Sequence, residues 1–196
     1  MNRKRGLPSD AANGWQSRLL TFHEIPPSTS SHALSRQASL ILFSLEFNPN
    51  VKTSVTELPF NSFLGIQMST DSSQLLRLPS GEKYLNHLGT VHASAQLALA
   101  EASSGEFLLR HFGSTHGILP VVRRLEAKFR KPANGAVTSM ASAAPESLAH
   151  LDDELASKGR SFIPITVELH DESGAHTLSA TIEWFIQRLS TDDKNT

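Results

Sequence analysis

The chain of 196 residues carries 18 basic and 19 acidic residues, a formal net charge of -1, so no global field draws it to nucleic acid or to an anionic membrane surface. It has no cysteine, which excludes disulfides, thiolate zinc sites and a cysteine nucleophile. The length suits one domain with a real core, and the most apolar stretch, Ser39 to Leu45, is broken by serine and followed by Glu46, short of the roughly 18 apolar residues that cross a bilayer.

Residues 1–37 are rich in Ser, Pro, Asn and Gly, without a sustained period, and read as a poorly ordered tail. Their basic, serine-containing composition also suits an organellar transit segment, although a cytoplasmic location is the expectation. From Ala38 to Leu64 two apolar clusters flank the turn signal Asn48-Pro49-Asn50 and predict short helical pieces leading into a domain over 38–189. Gly65 to Thr70 and Gln74 to Leu78, bounded by Asp71-Ser72-Ser73 and Pro79-Ser80-Gly81, read as a strand pair.

The most strongly marked element is a helix from about Val91 to Phe112, dense in Ala, Leu, Gln and Glu and expected to be capped by Gly89-Thr90. Its many small residues, Ala93 to Ala95 and Ala102 to Gly105 among them, remove bulk so that other backbone can approach closely. Leu119 to Lys131 alternates Leu125, Ala127 and Phe129 against Arg124, Glu126, Lys128 and Arg130, the period of a half-buried strand.

After the turn Pro132 to Gly135, Ala136 to Ala143 reads as a strand and Pro145 to Lys158 as a helix stopped by Gly159. Phe162 to Leu169 and His176 to Arg188 read as a hairpin about Asp171-Glu172-Ser173-Gly174, and residues 190–196 as a polar tail. One long helix with strands before and after it is the pattern of an α+β fold, an antiparallel sheet wrapped on a helix.

Within this pattern Asn86 to Glu101, reading NHLGTVHASAQLALAE, resembles the signature of hot-dog-fold acyl-CoA thioesterases: Asn, then Gly-Thr-x-His-Gly-Gly, then an acid. Asn86 stands six residues before His92 and fifteen before Glu101, as in the phenylacetate-pathway type and its human relatives. The acid is Glu, as in the 4-hydroxybenzoyl-CoA branch. The resemblance runs from about Phe60 to Arg188, and Lys158-Gly159-Arg160 with Asp171 to Gly174 is similar to uncharacterised hot-dog domains related to the YiiD C-terminal domain. Two positions depart: His92-Ala93-Ser94 replaces His-Gly-Gly, and Val122 falls where the family has serine or threonine.

What the resemblance implies is hydrolysis of an acyl-CoA thioester, with coenzyme A as part of the substrate and no other cofactor. Backbone N–H groups near His92 and Ala93 receive the oxyanion at the positive end of the helix. Glu101 activates water or attacks to form an anhydride, Asn86 orients the water or thioester, and His92 fixes the start of the helix. Ser94, Arg124, Arg130 and Lys131 are the expected substrate-binding residues, the cations forming a rim for coenzyme A.

Ala93 and Glu101 lie eight residues apart, about 12 Å along one helix, so a homodimer or dimer of dimers is expected, each site joining Asn86, His92 and Ala93 of one copy to Glu101 of another. The departures at Ala93-Ser94 and Val122 favour the alternative of a non-catalytic acyl-CoA-binding or regulatory protein. Metal binding is not expected, because His87/His92 and His111/His116 do not fit a His-Glu-x-x-His pattern. Nor is nucleic-acid binding, since the basic strand is interleaved with Glu126 and holds one aromatic.

Overall fold

A computed structural model describes residues 54–113 and 117–189, all within the unit Asn48–Thr196. The expected tail over 1–37 and the helical reading of 38–53 lie outside the described residues. The chain runs from a 3-10 turn, Val55–Glu57, into α1 (Pro59–Leu64), β1 (Gln67–Met68) and β2 (Leu76–Leu78), then through a second 3-10 turn, Glu82–Tyr84. There follow α2 (Ala93–Phe112), β3 (Ile118–Phe129), β4 (Val137–Ser142), α3 (Pro145–Lys158), β5 (Arg160–Asp171) and β6 (His176–Arg188). No helix among the described residues is long and apolar enough to cross a membrane.

The six strands form one antiparallel sheet in the order β1-β2-β4-β5-β6-β3. Strict alternation makes it two-faced: in β5, Ile163, Ile165, Val167 and Leu169 are buried while Phe162, Pro164, Thr166 and Glu168 are exposed. Pro164 sits beyond the end of β4, whose pairing stops at Ser142 opposite Thr166, so its missing N–H leaves no gap in that ladder. In β6 Leu178, Ala180, Ile182, Trp184 and Ile186 all turn inward.

The inward face wraps α2, whose Leu99 is fully buried. Most of the helix's small residues serve this contact, since Ala95, Ala100, Ala102, Ser103 and Ser104 are all buried. Two hydroxyls pin the layers together. Ser103 Oγ donates to the Leu99 carbonyl at 2.6 Å and lies 2.7 Å from Ser139 Oγ of β4, which also bonds the backbone of Leu76. Ser104 Oγ receives the indole N–H of the buried Trp184 at 3.0 Å.

A bulge between Val122 and Arg124 interrupts the β3–β6 register and reverses which parity of β3 faces inward. Pro120 and Val122 lie opposite the inward Ile186 and Trp184, and beyond the bulge Leu125, Ala127 and Phe129 lie opposite Ile182, Ala180 and Leu178. Ala127 and Phe129 are nonetheless exposed, for among the described residues β3 is the last strand of the sheet and is paired on one side only.

The β5–β6 hairpin is closed by Asp171, which accepts from Ser173 N at 3.0 Å, Ser173 Oγ at 2.7 Å and Ala175 N at 3.0 Å. It also accepts from Asn134 N at 3.1 Å, clipping the hairpin to the turn after β3. Gly135 is required there because its φ of 69° is a left-handed conformation that side chains rarely adopt. Burial raises the Asp171 carboxyl, but the hydrogen bonds from Ser173, Asn134 and Ala175 outweigh it and hold it below 3.8. Its stabilisation is therefore complete above the unfolded value and lost as pH falls through the lower folded one. Asp171→Ala should lower the melting temperature at neutral pH, and thermal melts should show the gap from wild type closing as pH drops below 3.8.

Candidate functional site

The loop before α2 is built around Asn86. Its Oδ1 accepts from Leu88 N at 2.9 Å and Thr90 N at 3.2 Å, while Nδ2 donates to Thr90 Oγ1 at 3.0 Å. Asn86 N also donates to the Thr90 carbonyl, giving a tight turn in which Gly89 takes φ 74°. Thr90 is thus spent on Asn86 and does not cap the helix.

The cap is His92, with φ -59° and ψ 140°, whose Nδ1 accepts from Ser94 N at 3.1 Å. A capping Nδ1 must be unprotonated, so the neutral ring carries its proton on Nε2. The carbonyl of His92 receives the N–H groups of Ala95 and Gln96, at 3.1 and 3.2 Å. Of the first-turn amides, Ala93 alone has no partner among the described residues.

Ala93 lines a concavity of about 310 Å³, which Asn86, Thr90, Val91 and Gln96 border with it on one side. Phe129, Arg130, Lys131 and Pro132 form the other. The walls are tied together where Val91 N donates to the carbonyl of the buried Ala133 at 2.9 Å. Arg130 is anchored by its Nε to Ser179 Oγ at 3.1 Å, which leaves the Nη donors of its guanidinium available to an anion. Gln96, only 3 % exposed, donates through Nε2 to the Val91 carbonyl at 3.2 Å.

The expected site residues are not all brought together. Asn86, Ala93, Arg130 and Lys131 line the concavity, and His92 braces it. Ser94 is exposed and is not among its lining residues. Arg124 is not among them either, because it lies opposite Glu183 and is ion-paired with Glu126.

Glu101 lies eight residues along α2 from Ala93, about 12 Å away, and is half-buried on a helix stripe with Ser94, Ala98 and Gly105. Burial alone acts on its carboxyl and raises its pKa. Val122 is half-buried against the core. The residues missed from sequence are Gln96 and Phe129; for Gln96 the available signal was an amide on the core-facing stripe that also holds Leu99 and Ser103. Among the described residues no cluster of three or more His, Cys, Asp or Glu side chains is arranged to hold a metal ion.

Residues 65–186 match the family described as Domain of unknown function (DUF4442). No curated protein matches the chain. Among solved structures, a Pseudomonas aeruginosa protein of unknown function, described as a probable thioesterase, is similar at 23% identity and a TM-score of 0.59, over 70% of this chain and 93% of that one. A Chlorobaculum tepidum protein of unknown function matches at 20% identity and 0.58, over 67% and 88% of the two chains. A Haemophilus influenzae thioesterase matches at 18% identity and 0.55, over 71% and 90%. With the family match spanning more than half its length, the chain belongs to the DUF4442 family, and its fold is the hot-dog fold shared with thioesterase-superfamily proteins.

Proposed function

We propose that the protein hydrolyses acyl-CoA thioesters at sites shared between two copies of the chain. The observation that carries this reading is Ala93 on the wall of the concavity beside Asn86, its N–H without a partner among the described residues, a donor suited to the oxyanion of a tetrahedral intermediate. Arg130 and Lys131 on the opposite wall supply charge for the phosphates of coenzyme A.

The carboxylate comes from the second copy. Glu101 is too far along its own helix to meet a carbonyl held at Ala93, and an antiparallel helix pair about a two-fold axis would set the middle of one helix beside the start of the other. Three features support such a partner: the small residues flanking Glu101, the edge of β3 that is unpaired among the described residues, and the exposed inward side chains of Ala127 and Phe129. Glu101 then acts on water as general base or attacks the thioester carbon itself. A half-buried carboxyl with a raised pKa suits the first route, being closer in basicity to its task than an ordinary glutamate.

Val122, where related thioesterases carry a hydroxyl, favours a second reading, an acyl-CoA-binding protein without turnover. Tight binding of acyl-CoA with no thiol release on any chain length would establish that reading and remove the first.

Glu101→Gln should abolish thiol release yet raise the melting temperature at neutral pH. Burial favours the neutral form of Glu101, so its contribution is greatest below the unfolded pKa and is lost as pH rises through the folded one. For the same reason wild-type kcat/KM should fall with decreasing pH at a value above the ordinary glutamate pKa, about 4.3. A profile flat through that region would remove Glu101 as base.

Ala93→Pro isolates the oxyanion donor. Proline is well tolerated at the first helical position, and the preceding His92 already has the extended φ and ψ that proline demands. The variant should fold and lose roughly 100- to 1,000-fold in kcat, with circular dichroism confirming the helix.

Sharing of the site is tested by mixing. Glu101→Gln and Asn86→Ala chains, each inactive alone, should regain about a quarter of wild-type activity when refolded together, because half the dimers are mixed and each has one intact site. No recovery would place both residues of a site on one chain.

A further inference from the structure

We propose that the acyl group taken by this site carries a hydroxyl a short way from the thioester carbonyl, and that the side-chain oxygen of Gln96 receives it. The inference rests on the thioesterase reading for the orientation of the substrate. The Val91 carbonyl can only accept, so the amide nitrogen of Gln96 must face it, as its 3.2 Å contact requires. The oxygen is left over, and Gln96 Oε1 is the one buried side-chain polar atom without a hydrogen-bond partner among the described residues. Leucine at this core-facing position would avoid the desolvation cost of an orphan acceptor. A donor arriving with the ligand removes that cost, and no neighbour supplies one, since the amide group of Asn86 is engaged within its own turn.

The order of groups in the concavity selects which part of the substrate meets Gln96. Arg130, Lys131 and Ala93 are exposed, whereas Gln96 is 3 % exposed and lies one turn further into the fold. With the coenzyme at the two cations and the carbonyl at the Ala93 N–H, the acyl carbons reach Gln96. Three residues along a helix rise about 4.5 Å, which suits a hydroxyl on the third carbon of the chain. The site presents an oxygen, so it selects a donor there; an unsubstituted chain would bury that oxygen unpaired.

The test compares matched 3-hydroxyacyl-CoA enantiomers with the saturated acyl-CoA of equal length. Thiol release is followed in wild type, Gln96→Leu and Gln96→Met, and dissociation constants are measured in a Glu101→Gln background with and without the Gln96 change. One hydroxylated enantiomer should be preferred about tenfold or more in kcat/KM, and should bind correspondingly more tightly. In a folded Gln96 variant, verified by its melting curve, both ratios should fall to about one. A wild-type ratio near one overturns the inference, as does a ratio that the Gln96 changes leave intact. Equal losses on both substrates overturn it as well. Turnover of both substrates without preference leaves the thioesterase reading standing. If wild type turns over neither, that reading fails, and the ratio of dissociation constants decides the hydroxyl question alone.

Discussion

A helix begins with backbone N–H groups that it cannot satisfy itself, and the disposal of these amides at the start of α2 governs the candidate site. His92 takes three of them, one on its ring nitrogen and two on its carbonyl, while its own N–H is tied to the Tyr84 carbonyl at 2.7 Å. The histidine is therefore consumed as a cap, and proton shuttling would require it to release Ser94. What remains is the amide of Ala93, at the positive end of a helix of 20 residues. The methyl group of Ala93 matters little to such a donor, because only the backbone is used.

The small residues of α2 have two separate uses. Five of them, with Leu99, let the helix settle against its own sheet, and the hydroxyls of Ser103 and Ser104 tie it to β4 and β6. Gly105 lies under the Trp184 ring, where an added Cβ would sit at ordinary contact distance, 3.7 Å. The remaining stripe, Ser94, Ala98 and Gly105, flanks Glu101 and keeps bulk away from its carboxyl. Small side chains alone do not create a site; here they border a partly desolvated acid.

Beyond the bulge β3 carries Arg124, Glu126 and Lys128 on its outer side and Leu125, Ala127 and Phe129 on its inner side, whereas before it the outward residues are the apolar Leu119 and Val121. Arg123 occupies the break, 3.8 Å from Glu183 and over the ring of Phe162. The strand beyond it carries Phe129 inward to the concavity and leads into Arg130 and Lys131. One irregularity thus lets the same segment furnish both an apolar wall and a basic rim.

Much of this was legible in the residues themselves. The helix Pro145–Lys158 with its stop at Gly159, the turn at Asp171 to Gly174 and the inward alternation of β6 depend on chemistry within a few positions, and the structure has them where local rules place them. The spacing of Asn86, His92 and Glu101 marks the segment that holds the turn before α2 and the first half of that helix, although the expected cap, Gly89-Thr90, is not the residue that caps it. Tertiary structure decided the rest. Thr90 looks like a cap until Asn86 claims its hydroxyl, and Arg124 looks like a ligand until Glu126 and the sheet register turn it outward. The far wall of the concavity exists because Val91 bonds Ala133, forty-two positions later in the chain. The orphan oxygen of Gln96 exists because packing buries that side chain with a single carbonyl in reach of its amide. Periodicity and turn chemistry are local properties that a sequence displays directly, whereas the partner of a polar group is settled by which distant segments the sheet brings alongside it.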